Sequence, residues 1–362
     1  MSETSVTVKF LARGHRAGHF ERWIRQFPGN RPVWGHCRFV FDREARGYDW
    51  LVVYDDLPRA EPGGSDGEVL ACPRGRTILL TTEPSSIRTY GSDFLRQFGI
   101  VVTPQEPWAL SHPNQVRSHA GAHWFYGLSE AAVRTYDEMQ SAAPPPKTRL
   151  LSTVCSSKKQ RHTLHFDRYA FTQRLAAALP ELEVFGHGVR PLDDKAEALD
   201  PYRYHVAVEN HVCPDHWTEK LADALLGFTL PFYHGCPNAA DYFPPECFIP
   251  IDIRDFDAAR ALIREAIASG QYEKRLPAIV EGRRRVLEEH NLFALLHRVI
   301  RDRDSGPGGQ GAGTRVYRQH TLWRHRPSAG PRLVLEKARA RLHGFRRRAR
   351  ARTIRGGATA CA

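Results

Sequence analysis

The sequence predicts an α/β fold in two successive halves. Short β-branched apolar runs alternate with helical stretches, the alternation restarts after a run of three prolines, and polar clusters stand directly behind the predicted strands. In the first half the runs VTVKFLA, DWLVVYDD, TILLTTEP and GIVVTPQ read as strands that stop at polar or turn residues, with helical or loop stretches such as FERWIRQF and SIRTYGSDFLRQF between them. SAAPPPK, around residues 141–147, is a stiff break. Beyond it LLSTVCS, LEVFGHG, YHVAVEN and TLPFYHG read as strands, and RYAFTQRLAAAL and HWTEKLADALLG as helices. The expectation is two Rossmann-like domains facing a cleft, over residues 1–143 and 148–303, then a flexible Gly-rich linker at 304–330 and a basic helical tail at 331–362. Ligands of such sheets bind beyond the carboxyl ends of the strands, so TTEPSS, STVCSSKK, VENH and YHGCPN are expected to gather at that rim.

Bulk composition narrows the class. With 362 residues, 41% of them hydrophobic and 25% charged, the chain is long enough for two cores and is not compositionally disordered. No apolar run approaches the roughly 18 residues that cross a bilayer. The N-terminal stretch MSETSVTVKFLARGHRAGHF lacks the pattern of a secretory signal. Seven scattered cysteines, never in a CxxC pair, point to reduced thiols and a cytoplasmic setting. The net charge of +12 is local: residues 332–355 carry ten Lys or Arg against one Glu, leaving +3 for the remainder. In that tail Leu335, Ala338, Leu342, Phe345 and Ala349 recur at spacings of three and four, one apolar stripe among arginines. A cationic amphipathic helix of this kind suits an anionic membrane surface, here the inner face. It carries no nucleic-acid motif and no interleaved aromatic platform, so no nucleic-acid partner is expected, although binding through the tail is the alternative from another functional class.

Residues 208–221, VENHVCPDHWTEKL, concentrate ionisable chemistry between two apolar segments. Asp215 is positioned to cap a helix beginning near His216, which places Thr218, Glu219 and Lys220 in its first turns. The start of a helix offers free N–H groups and partial positive charge to an anion, and Lys220 adds a full charge. Glu219, about 100° further round the helix, can accept hydrogen bonds from neutral hydroxyls such as those of a ribose. An Asp cap with Glu and Lys behind it is also common on ordinary surfaces, so these residues alone define an anion site and no more.

The wider span 204–249 resembles the signature of glycosyltransferase family 10, the α1,3-fucosyltransferases. The elements occur in order: Glu209-Asn210 after a strand, Asp215 with Thr218-Glu219-Lys220, the turn Gly235-Cys236-Pro237-Asn238, and Pro244-Pro245. The resemblance covers the second half well and the first more loosely. It implies a GT-B-like pair of domains with GDP-fucose held mainly by the second, through Arg168, Glu209, Asn210, His216, Glu219, Lys220 and Asn238. Arg168 and Lys220 are then the cations on the diphosphate, and Glu219 the partner of the ribose. Glu83, in LLTTEPSS, is the position matched to the family's catalytic base, for an inverting transfer of fucose to a hydroxyl of a saccharide acceptor, a bacterial surface glycan in free or lipid-linked form. Val208 stands where the family usually has Phe, and His216 where it has Tyr, which keeps GDP-mannose or a UDP-sugar open as donor.

Neither a metal nor a further cofactor is expected. His205, His211, Cys213, His216, His234 and Cys236 lie close in sequence but match no common metal-ligand spacing. Asp55-Asp56 reads as a turn or cap after a strand. Trp108, Trp124 and Tyr126 are the aromatic residues placed at the acceptor cleft.

Overall fold

The structure, a computed structural model, describes residues 5–14, 20–60, 66–121, 123–156, 164–303 and 313–358, and side chains up to residue 344. Ser157–Lys159, the 304–312 part of the expected linker, and the side chains of Phe345 and Ala349 lie outside the described residues.

The first half supplies β1 (Val6–Ala12), β2 (Val33–Trp34), β3 (Cys37–Val40), β4 (Trp50–Tyr54), β5 (Glu68–Val69), β6 (Thr77–Leu80), β7 (Ile100–Thr103) and β8 (Gln115–Arg117). All but β5 form one sheet in the order β2-β3-β1-β4-β6-β7-β8, parallel except where β2 meets β3. The second half supplies β9 (Arg149–Val154), β10 (Leu182–Phe185), β11 (Tyr202–Val208), β12 (Leu230–His234) and β13 (Ile249–Pro250). They form a fully parallel sheet in the order β10-β9-β11-β12-β13. Two parallel sheets, each covered by helices, make the pair of Rossmann-like α/β halves that the alternation predicts, the GT-B-like arrangement that the family resemblance implies.

Strand residues buried on both sides explain why the first-half strands read as unbroken apolar runs. Val8, Phe10, Val52, Ile78, Leu80 and Val102 face one core, and Leu11, Leu51, Val53, Leu79 and Val101 face the other. The helix that covers the former face comes from far along the chain. Leu292–Arg301, expected within the 148–303 domain, buries Leu292, Phe293, Leu296 and Ile300 against the first sheet. Its start is fixed by Asn291, whose side-chain amide donates to Gln26 O at 2.9 Å. Its apolar stripe has a home only on this sheet, which moves it across the expected boundary.

The expected flexible linker at 304–330 also departs from its reading where it is described. A strand β14 (Arg315–Val316) pairs antiparallel with β5, and Val316, Leu322 and Ala329 enter the opposite core of the first sheet. Apolar side chains placed every few residues beyond the glycines give this segment something to bury. A helix, Ala329–Ala358, follows. It is anchored by Arg332, which donates to Asp93 at 2.8 Å, and by Glu336, which accepts from Ser92 N at 3.1 Å. No described helix is long and apolar enough to cross a membrane.

Candidate functional site

At the carboxyl ends of β9 and β11 lies a cavity of about 220 Å³, lined among others by Val154, His165, Arg168, Asn210, Glu219 and Lys220. Two helices aim their charges into it. Helix His165–Ala178 carries Arg168 in its first turn, 7% exposed. Arg168 Nη1 donates to Asn210 Oδ1 at 2.8 Å, and its Nε has no hydrogen-bond partner among the described residues. A buried guanidinium N–H without a partner is costly unless something else accepts from it, and an anionic oxygen is the natural acceptor.

The second helix is Glu219–Leu226, and its cap corrects the sequence reading. Thr218, not Asp215, is the N-cap, its hydroxyl accepting from Lys220 N. The same hydroxyl and the Thr218 amide donate to Glu209, at 2.7 and 2.8 Å. Asp215 lies three residues earlier in a left-handed conformation, φ 65°, with its carboxylate turned outward. There it accepts from Asn238 (3.0 Å), Tyr242 (2.9 Å) and Arg117 (3.1 Å). Its helix-capping capacity is spent on a loop brace instead.

Lys220 Nζ lies 2.8 Å from Glu219 and 3.4 Å from Glu209. Burial works against its charge, but the two carboxylates outweigh burial and hold its pKa above the ordinary lysine value. Arg168 pushes the other way on Lys220, which puts both cations on one pocket. Burial likewise opposes ionisation of Glu219, yet Lys220 and Lys195 hold its pKa well below the usual carboxylate range. Glu209 is fully buried, and burial raises its pKa. Gly235 is required beside it: a Cβ there would meet Glu209 Cγ at 2.4 Å.

Four of the seven expected donor residues therefore line the cavity: Arg168, Asn210, Glu219 and Lys220. The other three stand behind it. Glu209 ties the helix cap to the end of β11. Asn238 braces Asp215, accepting from its amide at 2.8 Å. His216 is 2% exposed and packed edge-on against His211, and burial pushes its pKa down to about 3, so it stays neutral. Sequence spacing placed these three in the right motif but not the right layer, because layer depends on contacts with distant residues. Lys195 and His165, which also line the cavity, were missed: nothing in their local sequence separates them from surface residues.

Glu83 stands across the cleft at the end of β6. It is half-buried, and no hydrogen bond to its carboxylate occurs among the described residues. Burial raises its pKa, and the charges of Asp55 and Glu219 raise it further, against Arg88 and Lys220. It therefore lies within electrostatic reach of the cavity. Glu83 caps no helix, since the next one, Ser92–Leu95, has Gly91 as its N-cap. Asp55 and Asp56 are held by Arg88, which bonds both, and by Tyr90 and the Gln319 amide, so their oxygens serve an ion-pair network.

The acceptor residues need correction. Trp124 and Tyr126 are 2% and 3% exposed and belong to the core of the second half. Residues 123–125 lead into a turn at Tyr126-Gly127, with the Trp124 and Tyr126 rings buried, His123 partly buried and Phe125 exposed. Trp108 is partly exposed but stacks on His343 of the tail helix at 3.9 Å.

One described group, Glu106, His211 and Cys213, brings metal-ligand atoms within 4.8 Å of each other. Its atoms have protein partners. His211 Nε2 lies 3.1 Å from Glu106 Oε1, and the Cys213 thiol faces Pro104 O, with burial raising its pKa. A protonated thiol is a poor metal ligand, and the contacts act as a tie between the two halves. Arg117 and Asp215 form a second tie.

Two parallel α/β halves with a cation-flanked helix start at the carboxyl rim of the second sheet make an α/β protein with a candidate anion site at that rim. Residues 144–268 match the family described as glycosyltransferase family 10 (fucosyltransferase), C-terminal part. The 3-galactosyl-N-acetylglucosaminide 4-α-L-fucosyltransferase FUT3 of Pan troglodytes is 34% identical over 135 residues, 34% of each chain. The 4-galactosyl-N-acetylglucosaminide 3-α-L-fucosyltransferase FUT6 of Homo sapiens is 35% identical over 135 residues, 34% of this chain and 35% of that one. The chain thus spans about a third of the length of these curated relatives. A crystal structure of an α1,3-fucosyltransferase with GDP-fucose aligns over 76% of this chain and 82% of its own, at 16% identity and a TM-score of 0.45.

Proposed function

We propose that the chain is an inverting glycosyltransferase that moves fucose from GDP-fucose to a saccharide hydroxyl. The carrying observation is the shared cavity of Arg168 and Lys220, with Glu83 within electrostatic reach across the cleft. The fucosyltransferases to which residues 144–268 are similar support fucose as the sugar.

In this reading the diphosphate accepts from Arg168 and Lys220, and the Glu219 carboxylate accepts from the ribose. Glu83 takes the proton of the acceptor hydroxyl as that oxygen bonds to the anomeric carbon. The bond from that carbon to the phosphate oxygen breaks on the opposite face, and GDP leaves with the electron pair. Arg168 and Lys220 stabilise the charge that accumulates on it. The raised pKa of Glu83 suits a base, because a weaker acid is a better proton acceptor once ionised. Glu83→Gln should abolish transfer in a GDP-fucose assay while GDP still binds by calorimetry. Retained turnover would remove Glu83 from the role.

The tail supports a peripheral position on an anionic membrane, at the inner face of a cytoplasmic membrane, where the acceptor is a lipid-linked surface glycan. Its first turns dock through Leu333 and Glu336, and Leu335, Ala338 and Leu342 face outward, Leu335 at 60% and Leu342 at 51% exposure. Flotation with phosphatidylserine vesicles should carry the full chain and not a chain ending at 330. Equal partitioning of both would end the membrane reading, and salt-sensitive DNA binding lost with the tail would replace it.

A further inference from the structure

Between Glu83 and the donor cavity runs a row of rings that the chemistry above does not use. Tyr54, at the end of β4, stands edge-on to Trp23 at 5.1 Å. Trp23 stands edge-on to His123 at 5.5 Å, and His123 edge-on to Phe125 at 4.6 Å. Charges fix both ends of the row. Tyr54 feels the charges of Glu83 and Glu219, and His123 those of Glu219 and Lys195. The Phe125 ring centroid lies 6.0 Å from Lys195 Nζ, and Lys195 lines the donor cavity.

Phe125, 42% exposed, is the open end of this row, and its backbone is held rigidly. Arg25, 2% exposed, donates to the carbonyls of Trp124 (2.6 Å), Tyr126 (3.1 Å) and Gly127 (3.0 Å). The Phe125 amide donates to Asp223 at 3.1 Å. With Trp124 and Tyr126 locked into the core, Phe125 cannot turn inward. A large apolar ring fixed in the open beside Lys195 of the donor cavity is available to a partner with one apolar face. A pyranose ring has such a face, made of its C–H bonds, with hydroxyls round the edge for polar neighbours.

We propose that Phe125, backed by His123, is the stacking platform for a sugar ring of the acceptor saccharide. The inference rests on the transfer reading above. It assigns the acceptor rather than the donor because the row starts on the first sheet, at Tyr54 and Trp23, and Phe125 is not among the residues that line the donor cavity, although its amide and flanking rings are held by the second half.

The test is steady-state transfer from GDP-fucose to a 4-galactosyl-N-acetylglucosaminide disaccharide by the full chain. Phe125→Ala should raise the acceptor KM roughly tenfold, the scale of losing one apolar contact, and leave GDP affinity unchanged. Phe125→Trp should restore the KM, and Phe125→Leu, apolar but not planar, should not. An unchanged acceptor KM, or a loss of GDP affinity in its place, overturns the platform. No transfer by the unaltered chain defeats the transfer reading itself. The platform is then judged by titrating the same disaccharide into the GDP-bound chain, where Phe125→Ala must weaken binding by the same factor. Absent or unchanged binding there overturns it too.

Discussion

The two rims that face each other across the cleft hold the same kind of side chain in opposite states. On the second-half rim Glu219 is buried beside Lys220 and Lys195, and its pKa is held down. On the first-half rim Glu83 is half-buried with Asp55 and Glu219 for company, and its pKa is raised. Burial opposes ionisation of both carboxylates, and the sign is decided by whether cations or anions stand nearby. One rim is therefore built to keep a permanent anion among cations, suited to holding a ligand. The other keeps a carboxylate that readily takes a proton. Such a separation of two carboxylates by environment is how acid and base roles are assigned within one site.

The largest effect should come from the proton-accepting side. Glu83→Gln should lower kcat by about a thousandfold, within the range that positioned general bases supply, and leave GDP binding intact. A loss of GDP affinity of similar size would mean that Glu83 belongs to the donor rim and would erase the contrast. Next, Lys220→Met should lower kcat by roughly a hundredfold in the same assay, as removal of one donor to a developing charge does. It also leaves Glu209 and Glu219 close together without their cation, so a lowered melting temperature should accompany it.

The pH profile sharpens the contrast further. Because the pKa of Glu83 is raised, its active, ionised form is lost as pH falls through a value above the ordinary glutamate range, and kcat should show its acid limb there. Asp55→Asn removes the nearest like charge and should move that limb to lower pH. An unmoved limb would mean that another group sets it. The smallest effect concerns the tie between the rims. Arg117→Ala breaks a partly exposed ion pair with Asp215 and should cost only about 1 kcal/mol of stability in chemical unfolding. Its larger consequence should be a raised KM for GDP-fucose, since Asp215 braces the loop leading into the donor helix.

The donor rim was largely legible in the sequence because it is local. Glu209 to Lys220 spans twelve residues around one strand end and one helix start, so the helix start alone marks Glu219 and Lys220, and the family resemblance adds Asn210. Arg168 came from the family resemblance. What the sequence hid was long-range. The left-handed turn at Asp215 is set by Asn238, Tyr242 and Arg117, far away in the chain, and it moved the cap to Thr218. The aromatic character of Trp124 and Tyr126 was readable, but not that their rings are buried. Arg25, about a hundred residues away, decides that by clamping the carbonyls of Trp124 and Tyr126. The helix Leu292–Arg301 shows its apolar stripe in sequence but not the sheet that receives it. Topology, rather than propensity, settled each of these.

Calorimetric titration of GDP into the full chain and into Arg168→Met tests the central claim most directly. If the diphosphate rests between Arg168 and Lys220, the unaltered chain binds GDP and the substitution weakens it roughly 10- to 100-fold, the range for a charge-assisted hydrogen bond. Equal affinity in the two proteins would place the nucleotide elsewhere and contradict the account.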